Sequence, residues 1–167
     1  MSDKAAEILA QLLPAEQEIK TKKEPLPTDP NHWTPAVLLE RAAYLKEVAR
    51  NGKGSAGETL RAFPRHTAML SVRNRDGEAE IHTRFADLFI ILEGKGTMVT
   101  GGTIVDAKET KPGEIRGSRI EGGTPHEMRQ GSIMHIPAGL PHWIQVPSDS
   151  TFSAVVLKIE ETDAEAM

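Results

Sequence analysis

The sequence predicts an all-β chain folded as a sandwich or barrel of the jelly-roll kind, preceded by a helical extension. Three observations carry this. From His66 onward residues alternate with a period of two, as His66, Ala68, Leu70 and Val72 against Thr67, Met69, Ser71 and Arg73, which places successive side chains on opposite faces of a strand. Turn signals built from glycine, proline and aspartate recur every several residues from Asp76-Gly77 onward, as in all-β sandwiches and barrels. Before residue 60 the apolar spacing is instead that of helices.

The composition bounds the function. At 167 residues the chain reads as one barrel unit, residues 61–160, with helices and a proline-rich arm over 1–60 and an acidic tail over 161–167. A chain of that length buries about two thirds of its unfolded surface, enough for a real core. Its 24 acidic and 20 basic residues give a net charge of -4 with no basic stripe, so nucleic acid is not an expected partner. Cysteine is absent, which removes disulfides, thiolate metal sites and cysteine nucleophiles. No apolar run approaches the length of a membrane span. The start Met-Ser-Asp-Lys lacks a signal sequence's apolar segment. No membrane partner is expected, and the location expected is cytoplasmic unless a leader has been removed.

In chain order, residues 3–13 read as a short helix with Ala5, Ile8, Leu9 and Leu12 on one stripe and Pro14 ending it. Residues 14–33 carry four prolines among charged groups and suit an extended arm. Thr34-Pro35 is a helix start, an N-cap followed by proline in the first turn. The helix runs to Asn51-Gly52 on the stripe Leu38, Ala42, Leu45, Ala49. Asp76-Gly77 predicts a hairpin between the 66–73 strand and a return strand over 78–83. After a break at Phe85-Ala86, the strand 87–92 is apolar on both faces apart from Asp87, so a helix or a second copy is expected to cover Leu88, Ile90 and Leu92. A homodimer is the expected assembly. Residues 101–130 are polar and glycine-rich and read as a long functional loop or flap. The final strand is placed at 151–159.

The chemistry concentrates around Gly131 to His142. Two apolar strand segments, 133–136 and 143–146, flank a corner of Pro137, Gly139 and Pro141 that no strand can run through. His142 is the first residue beyond it, held at a defined height. The spacing Gly131, five residues, Pro137, one residue, Gly139, two residues, His142 resembles the second motif of the cupin superfamily, with Val146 where that motif closes on asparagine. A second stretch, from His82 to Gly94, is similar to the first cupin motif, which reads His-x-His, three or four residues, Glu, six residues, Gly. In this alignment His82 takes the first histidine place and Arg84 the second, Asp87 falls near the glutamate with only two residues between it and Arg84, and Gly94 takes the closing glycine. The two motifs span about two fifths of the chain.

The resemblance implies a cupin-type double-stranded β-helix, a jelly roll, with a divalent metal ion (Fe, Mn, Ni or Zn) inside it on His82, Asp87 and His142. Imidazole and carboxylate ligands accept those ions, and an open position lets water or substrate be polarised. Arg84 cannot ligate. It is read either as a partner of Glu80, which shares its strand parity, or as a clamp on a substrate carboxylate. His135 and Trp143 are the other candidate substrate-binding residues, and Phe85 is a second aromatic available as a pocket wall. His32, His66 and His126 have no constellation around them and read as structural or solvated. No serine has a base at readable spacing, so a serine-hydrolase reading has no support.

Two functional classes follow from these readings. One is a metal-dependent enzyme, an oxygenase, isomerase or lyase acting on a small carboxylate-bearing compound. The other is a non-catalytic cupin that binds or senses a small molecule without metal.

Overall fold

A computed structural model describes residues 31–161. The expected helix 3–13, residues 14–30 of the arm and residues 162–167 of the tail lie outside the described residues. One helix, α1 (Pro35–Asn51), is followed by β1 (Ser55–Ala62), β2 (His66–Arg73), β3 (Ala79–His82), β4 (Phe85–Glu93) and β5 (Lys95–Thr100). Then come β6 (Thr103–Val105), β7 (Lys108–Lys111), β8 (Glu114–Gly117), β9 (Arg119–Glu121) and β10 (Thr124–Arg129). The chain closes with β11 (Ile133–Ile136), β12 (His142–Gln145) and β13 (Phe152–Glu160). The strands form a five-stranded sheet ordered β1-β2-β13-β4-β11, a six-stranded sheet ordered β10-β5-β12-β3-β8-β7 and a small β6-β9 ribbon. All pairings are antiparallel. Two antiparallel sheets enclosing one interior are the double-stranded β-helix that the motifs imply.

The helix begins and stops where local chemistry dictates. The Thr34 hydroxyl accepts the Val37 N–H at 3.3 Å, Pro35 opens the first turn, and the Gly52 N–H reaches back to the Ala49 carbonyl. Its buried stripe, Arg41, Ala42, Leu45 and Ala49, packs on Leu60, Ala68, Leu70 and Val72. Leu92, Val155 and Leu157 flank the same cluster, so α1 lids the outer face of the five-stranded sheet. The lid expected over the 87–92 strand is therefore supplied by the chain's own helix at Leu92. β1, within the stretch read as helix and arm, pairs with β2 from Ser55↔Arg73 to Ala62↔Thr67.

Arg41 inside that apolar lid is held by Glu58 on β1. Its Nε and Nη2 donate to the two Glu58 oxygens at 2.5 Å each, and both residues are buried. Removing one partner of a buried bidentate pair costs about 3–5 kcal/mol, whereas replacing both by apolar groups is often close to neutral. Arg41→Leu is expected to lose stability in that range by urea denaturation, and Arg41→Leu with Glu58→Leu to recover most of it. Equal loss in single and double variants would show that the pair is not what couples helix to sheet.

Three sequence expectations are corrected here. Asp76-Gly77 does not turn a hairpin: β2 pairs with β1 and β13, and β3 with β12 and β8. The segment crosses between sheets instead, with the Asp76 carboxylate accepting the Val146 N–H and the Gly77 N–H donating to the Ile144 carbonyl, both at 2.8 Å. Phe85-Ala86 is not a break, since β4 starts at Phe85 and Ala86 is buried. Residues 101–130 are not a long loop but hold β6 to β10. Strands of three to six residues are too short for alternation to register, and the glycines that punctuate them look like loop composition.

Between the sheets the interior has two ends. Phe89, Ile91, Met98, Met128, Ile136, Ile144, Phe152 and Val156 fill an apolar core, and Val146, at the asparagine place of the second motif, joins them. Beside that core lie the buried polar residues His82, Asp87 and His142.

Candidate metal centre

Both histidines are carried to this end by strand termini. β3 stops at His82, and the proline corner delivers His142 as the first residue of β12. The corner is docked by its backbone. The Gly139 N–H donates to the His82 carbonyl at 2.8 Å, and the Pro141 carbonyl accepts the Gly101 N–H at 2.9 Å. The two imidazoles stand 5.3 Å apart, centroid to centroid.

Their outward nitrogens are both anchored. His82 Nδ1 is 2.7 Å from Glu114 Oε2, and His142 Nδ1 is 3.1 Å from the Leu140 carbonyl oxygen. A carboxylate and a carbonyl only accept, so each Nδ1 carries the proton and each Nε2 faces the interior. There the Glu80 Oε2 lies 3.2 Å from His82 Nε2 and 3.9 Å from His142 Nε2. Asp87 Oδ2 lies 3.2 and 3.7 Å from the same two atoms. Among the described residues, Glu80, His82 and His142 offer ligand atoms all within 4.8 Å of one another. A hydrogen-bonded Nδ1 with Nε2 turned to the interior is the usual arrangement of a metal-ligating histidine, and the anchor orients the ring. The donor set fits a divalent ion.

Charge is balanced by three cations. Arg116 bonds Glu80 and lies 3.5 Å from Glu114, Arg73 Nη2 lies 3.8 Å from Glu80, and Lys158 Nζ lies 3.1 Å from Asp87 Oδ1. Burial opposes charge on Glu80, but its hydrogen bond to His82 and then Arg116 outweigh it and hold its pKa below the usual range. Asp87 is lowered in the same way, against burial, by its His82 hydrogen bond and by Lys158. Burial lowers His142, the Leu140 carbonyl opposing it, so this imidazole stays neutral and able to ligate. Burial also opposes charge on His82, yet hydrogen bonds to Asp87 and Glu80 overcome it and push the pKa up to about 9. That shift favours a proton on His82 beside the two carboxylates when no metal is bound.

That proton makes stability depend on pH. His82 is raised from 6.5 to about 9, so its contribution is complete below pH 6.5 and is lost as pH rises to 9. The size is roughly 3 kcal/mol at 1.36 kcal/mol per unit. His142 is depressed, so its contribution is present above pH 6.5 and falls away below it. Chelator-stripped protein is expected to be most stable near pH 6.5, with a urea midpoint falling steadily to pH 9. A flat profile over that range would show that His82 does not hold the proton.

Of the residues read from sequence, His82, Asp87 and His142 are brought together. The three substrate candidates are not. The Arg84 side chain is 69% exposed and pairs with Glu160 at 2.8 Å, because the strand ends at His82 and its alternation stops there. Glu80 is paired with Arg116 and Arg73 instead. The His135 side chain is 54% exposed on β11, 3.9 Å from Glu161. Trp143 faces away from the cavity, its Nε1 donating to the Gly77 carbonyl while its ring packs by Ala79, Val99 and Ile104. His66 stacks on Phe63, and His126 contacts Thr100 at the surface.

Glu80 is a candidate ligand that the sequence reading does not name, although the motif spacing holds the signal. With Glu80 and His82 as the His-x-His pair, four residues lead to Asp87 and six more to Gly94, which satisfies the motif without a gap. The frame that starts at His82 lies two residues later, because position 80 holds a glutamate where the motif has a histidine. Glu114, Arg116, Arg73 and Lys158 had no sequence signal, since three other strands bring them in.

Fold and site together define a cupin-type double-stranded β-helix with a candidate two-histidine, carboxylate centre. Among solved structures the chain is similar to TT1209 from Thermus thermophilus, at 17% identity and a TM-score of 0.51, over 74% of this chain and 95% of that one. It is also similar to a cupin superfamily protein from Desulfitobacterium hafniense, at 14% identity and 0.45 over 64% and 78% of the two chains. A cupin-like protein from Thermotoga maritima gives 14% and 0.46 over 63% and 68%. At such an identity the likeness to TT1209 bears on the fold alone. No protein-family model and no curated protein matches the sequence.

Proposed function

We propose that this chain is a metal-dependent cupin that acts on a small molecule in the cavity between its sheets. Glu80, His82 and His142 hold a divalent ion of the Fe, Mn, Ni or Zn kind, with Asp87 as the fourth donor. One observation carries the reading: both imidazoles have Nδ1 anchored and Nε2 directed at a shared point beside carboxylates. A bound ion supplies Lewis-acid polarisation of a coordinated oxygen. Glu114 and the Leu140 carbonyl fix the rings, Lys158 steers Asp87, and Met69, Phe89, Ile144 and Val156 give the cavity a dry wall.

The alternative, a binding or sensing cupin without metal, is favoured by one specific feature. A protonated His82 with Arg73, Arg116 and Lys158 already neutralises the carboxylates. Elemental analysis of protein purified without chelator, followed by titration of stripped protein with Mn²⁺, Fe²⁺, Ni²⁺ and Zn²⁺, decides between them. About one ion per chain supports the metal reading, and no saturable binding of any ion supports the other. A homodimer belongs to the same proposal. Ile133, 68% exposed on edge strand β11 in register with Ile90, supports it. A monomer mass by static light scattering counts against it. Among the described residues no helix is long and apolar enough to cross a membrane.

A further inference from the structure

We infer that the cavity takes the carboxylate of a small aliphatic acid between Arg73 and Lys158, with the acid's apolar body lying on Met69, Phe89 and Val156. The inference deepens the proposed metal-dependent function and rests on it for the charge balance.

The cavity has a volume of about 210 Å³, below the roughly 300–1,000 Å³ of sites for drug-sized ligands. At about 30 Å³ per water-sized group it holds roughly seven of them. Its floor is set by strand register. Met69, Val156 and Phe89 are directly paired across β2, β13 and β4, and in the adjoining row Lys158 is paired with Asp87. Arg73 reaches in from the end of β2 toward Glu80. An apolar row and two long cationic side chains that reach into the same cavity match a short chain ending in an anion.

Two partly buried cations there have donors to spare, and both line the cavity. Arg73 Nε makes no hydrogen bond, and the nearest carboxylate to this side chain, Glu80, is 3.8 Å from Nη2. Lys158 Nζ lies 3.1 Å from Asp87 Oδ1, which engages one of its three protons and leaves two for a ligand. A buried donor left unpaired is costly, and a ligand oxygen removes that cost. Arg116 is excluded from the role because Glu80 and Glu114 already occupy it.

The charge count favours an anion. Three carboxylates, Glu80, Asp87 and Glu114, face the interior against three cations, Arg73, Arg116 and Lys158, while Glu78 is exposed at the rim. With neutral imidazoles that wall is neutral, and a divalent ion leaves it positive. A carboxylate lowers that charge. The acid clamp read from sequence at Arg84 is therefore reassigned to residues on two other strands.

The test is calorimetric titration of pentanoate and its neutral isostere pentanamide into metal-loaded and chelator-stripped protein, with metal content measured on every sample. Pentanoate is expected to bind once per chain to loaded protein and at least about tenfold more tightly than pentanamide, since charge-assisted bonds are the stronger ones. Arg73→Gln and Lys158→Gln are each expected to weaken pentanoate about tenfold or more while leaving pentanamide unchanged. Loss of discrimination in either variant supports the site should the other fail to fold. Equal affinity for acid and amide in metal-loaded wild-type protein overturns the inference and leaves the metal reading standing. Preferential pentanoate binding, lost in the variants, by protein that takes up no metal sustains the acid site and overturns the metal reading.

Discussion

His142→Ala is expected to reduce the metal content of purified protein to background and to weaken ion binding by stripped protein more than about a hundredfold. The comparison that sets the scale is Glu114, which touches His82 Nδ1 and not the centre. Losing such an orienting partner costs about 10–100-fold in metal affinity, so Glu114→Gln is expected in that interval and a true ligand beyond it. Glu80→Gln distinguishes the two possible frames of the first motif. Assigned as a ligand beside both Nε2 atoms, it should behave like His142→Ala, while Arg84→Gln, on the surface with Glu160, should bind metal as the parent does. Equal metal affinity in parent and His142→Ala protein would remove the centre. A weak effect at Glu80 with a strong one at Asp87 would transfer the carboxylate role to Asp87.

Gly94→Ala is expected to cost about 2–6 kcal/mol, a large part of the roughly 5–15 kcal/mol that holds a domain together. Gly94 turns the chain from β4 into β5 at φ +78, a region that alanine enters only with strain. A Cβ there would also overlap the backbone carbonyl of Thr151, which cannot swing away as a side chain tip can. Gly139 is the control. It has nearly the same φ, +80, but nothing lies within 4 Å of its would-be Cβ, so Gly139→Ala should cost about 1 kcal/mol. Thermal denaturation of the pair separates the two terms. Equal losses would mean that backbone strain dominates and the Thr151 contact relaxes.

Both glycines are motif positions, and that explains much of what was legible. The corner Pro137-Ala138-Gly139-Leu140-Pro141 and the turn at Gly94 are set by local dihedral limits, which a sequence displays directly. The same holds for α1, whose Thr34-Pro35 start and buried Ala42, Leu45 and Ala49 match the predicted element. Alternation failed where strands were too short to show it, as in β6 to β10, and where a strand ended inside an alternating run, as at His82-Thr83-Arg84. Arg84 and Glu80 share parity on paper, yet only one of them is still in the strand.

The sequence by itself determined the jelly-roll class, the strands β2, β4 and β13 and the capped helix, because each rests on short-range spacing and turn chemistry, while the grouping of His82, Asp87 and His142 came from the resemblance of the two motifs. Only the tertiary structure decided what surrounds those three residues. Glu114 and Arg116 come from the glycine-rich middle of the chain, Arg73 from the far end of β2, and Lys158 from the last strand, where pairing with β4 sets it opposite Asp87. These groups are up to 85 positions apart in sequence, and what joins them is sheet register and charge neutralisation in a buried space. Neither leaves a local pattern, since a charged residue on an alternating strand reads the same whether it faces water or a carboxylate inside the barrel.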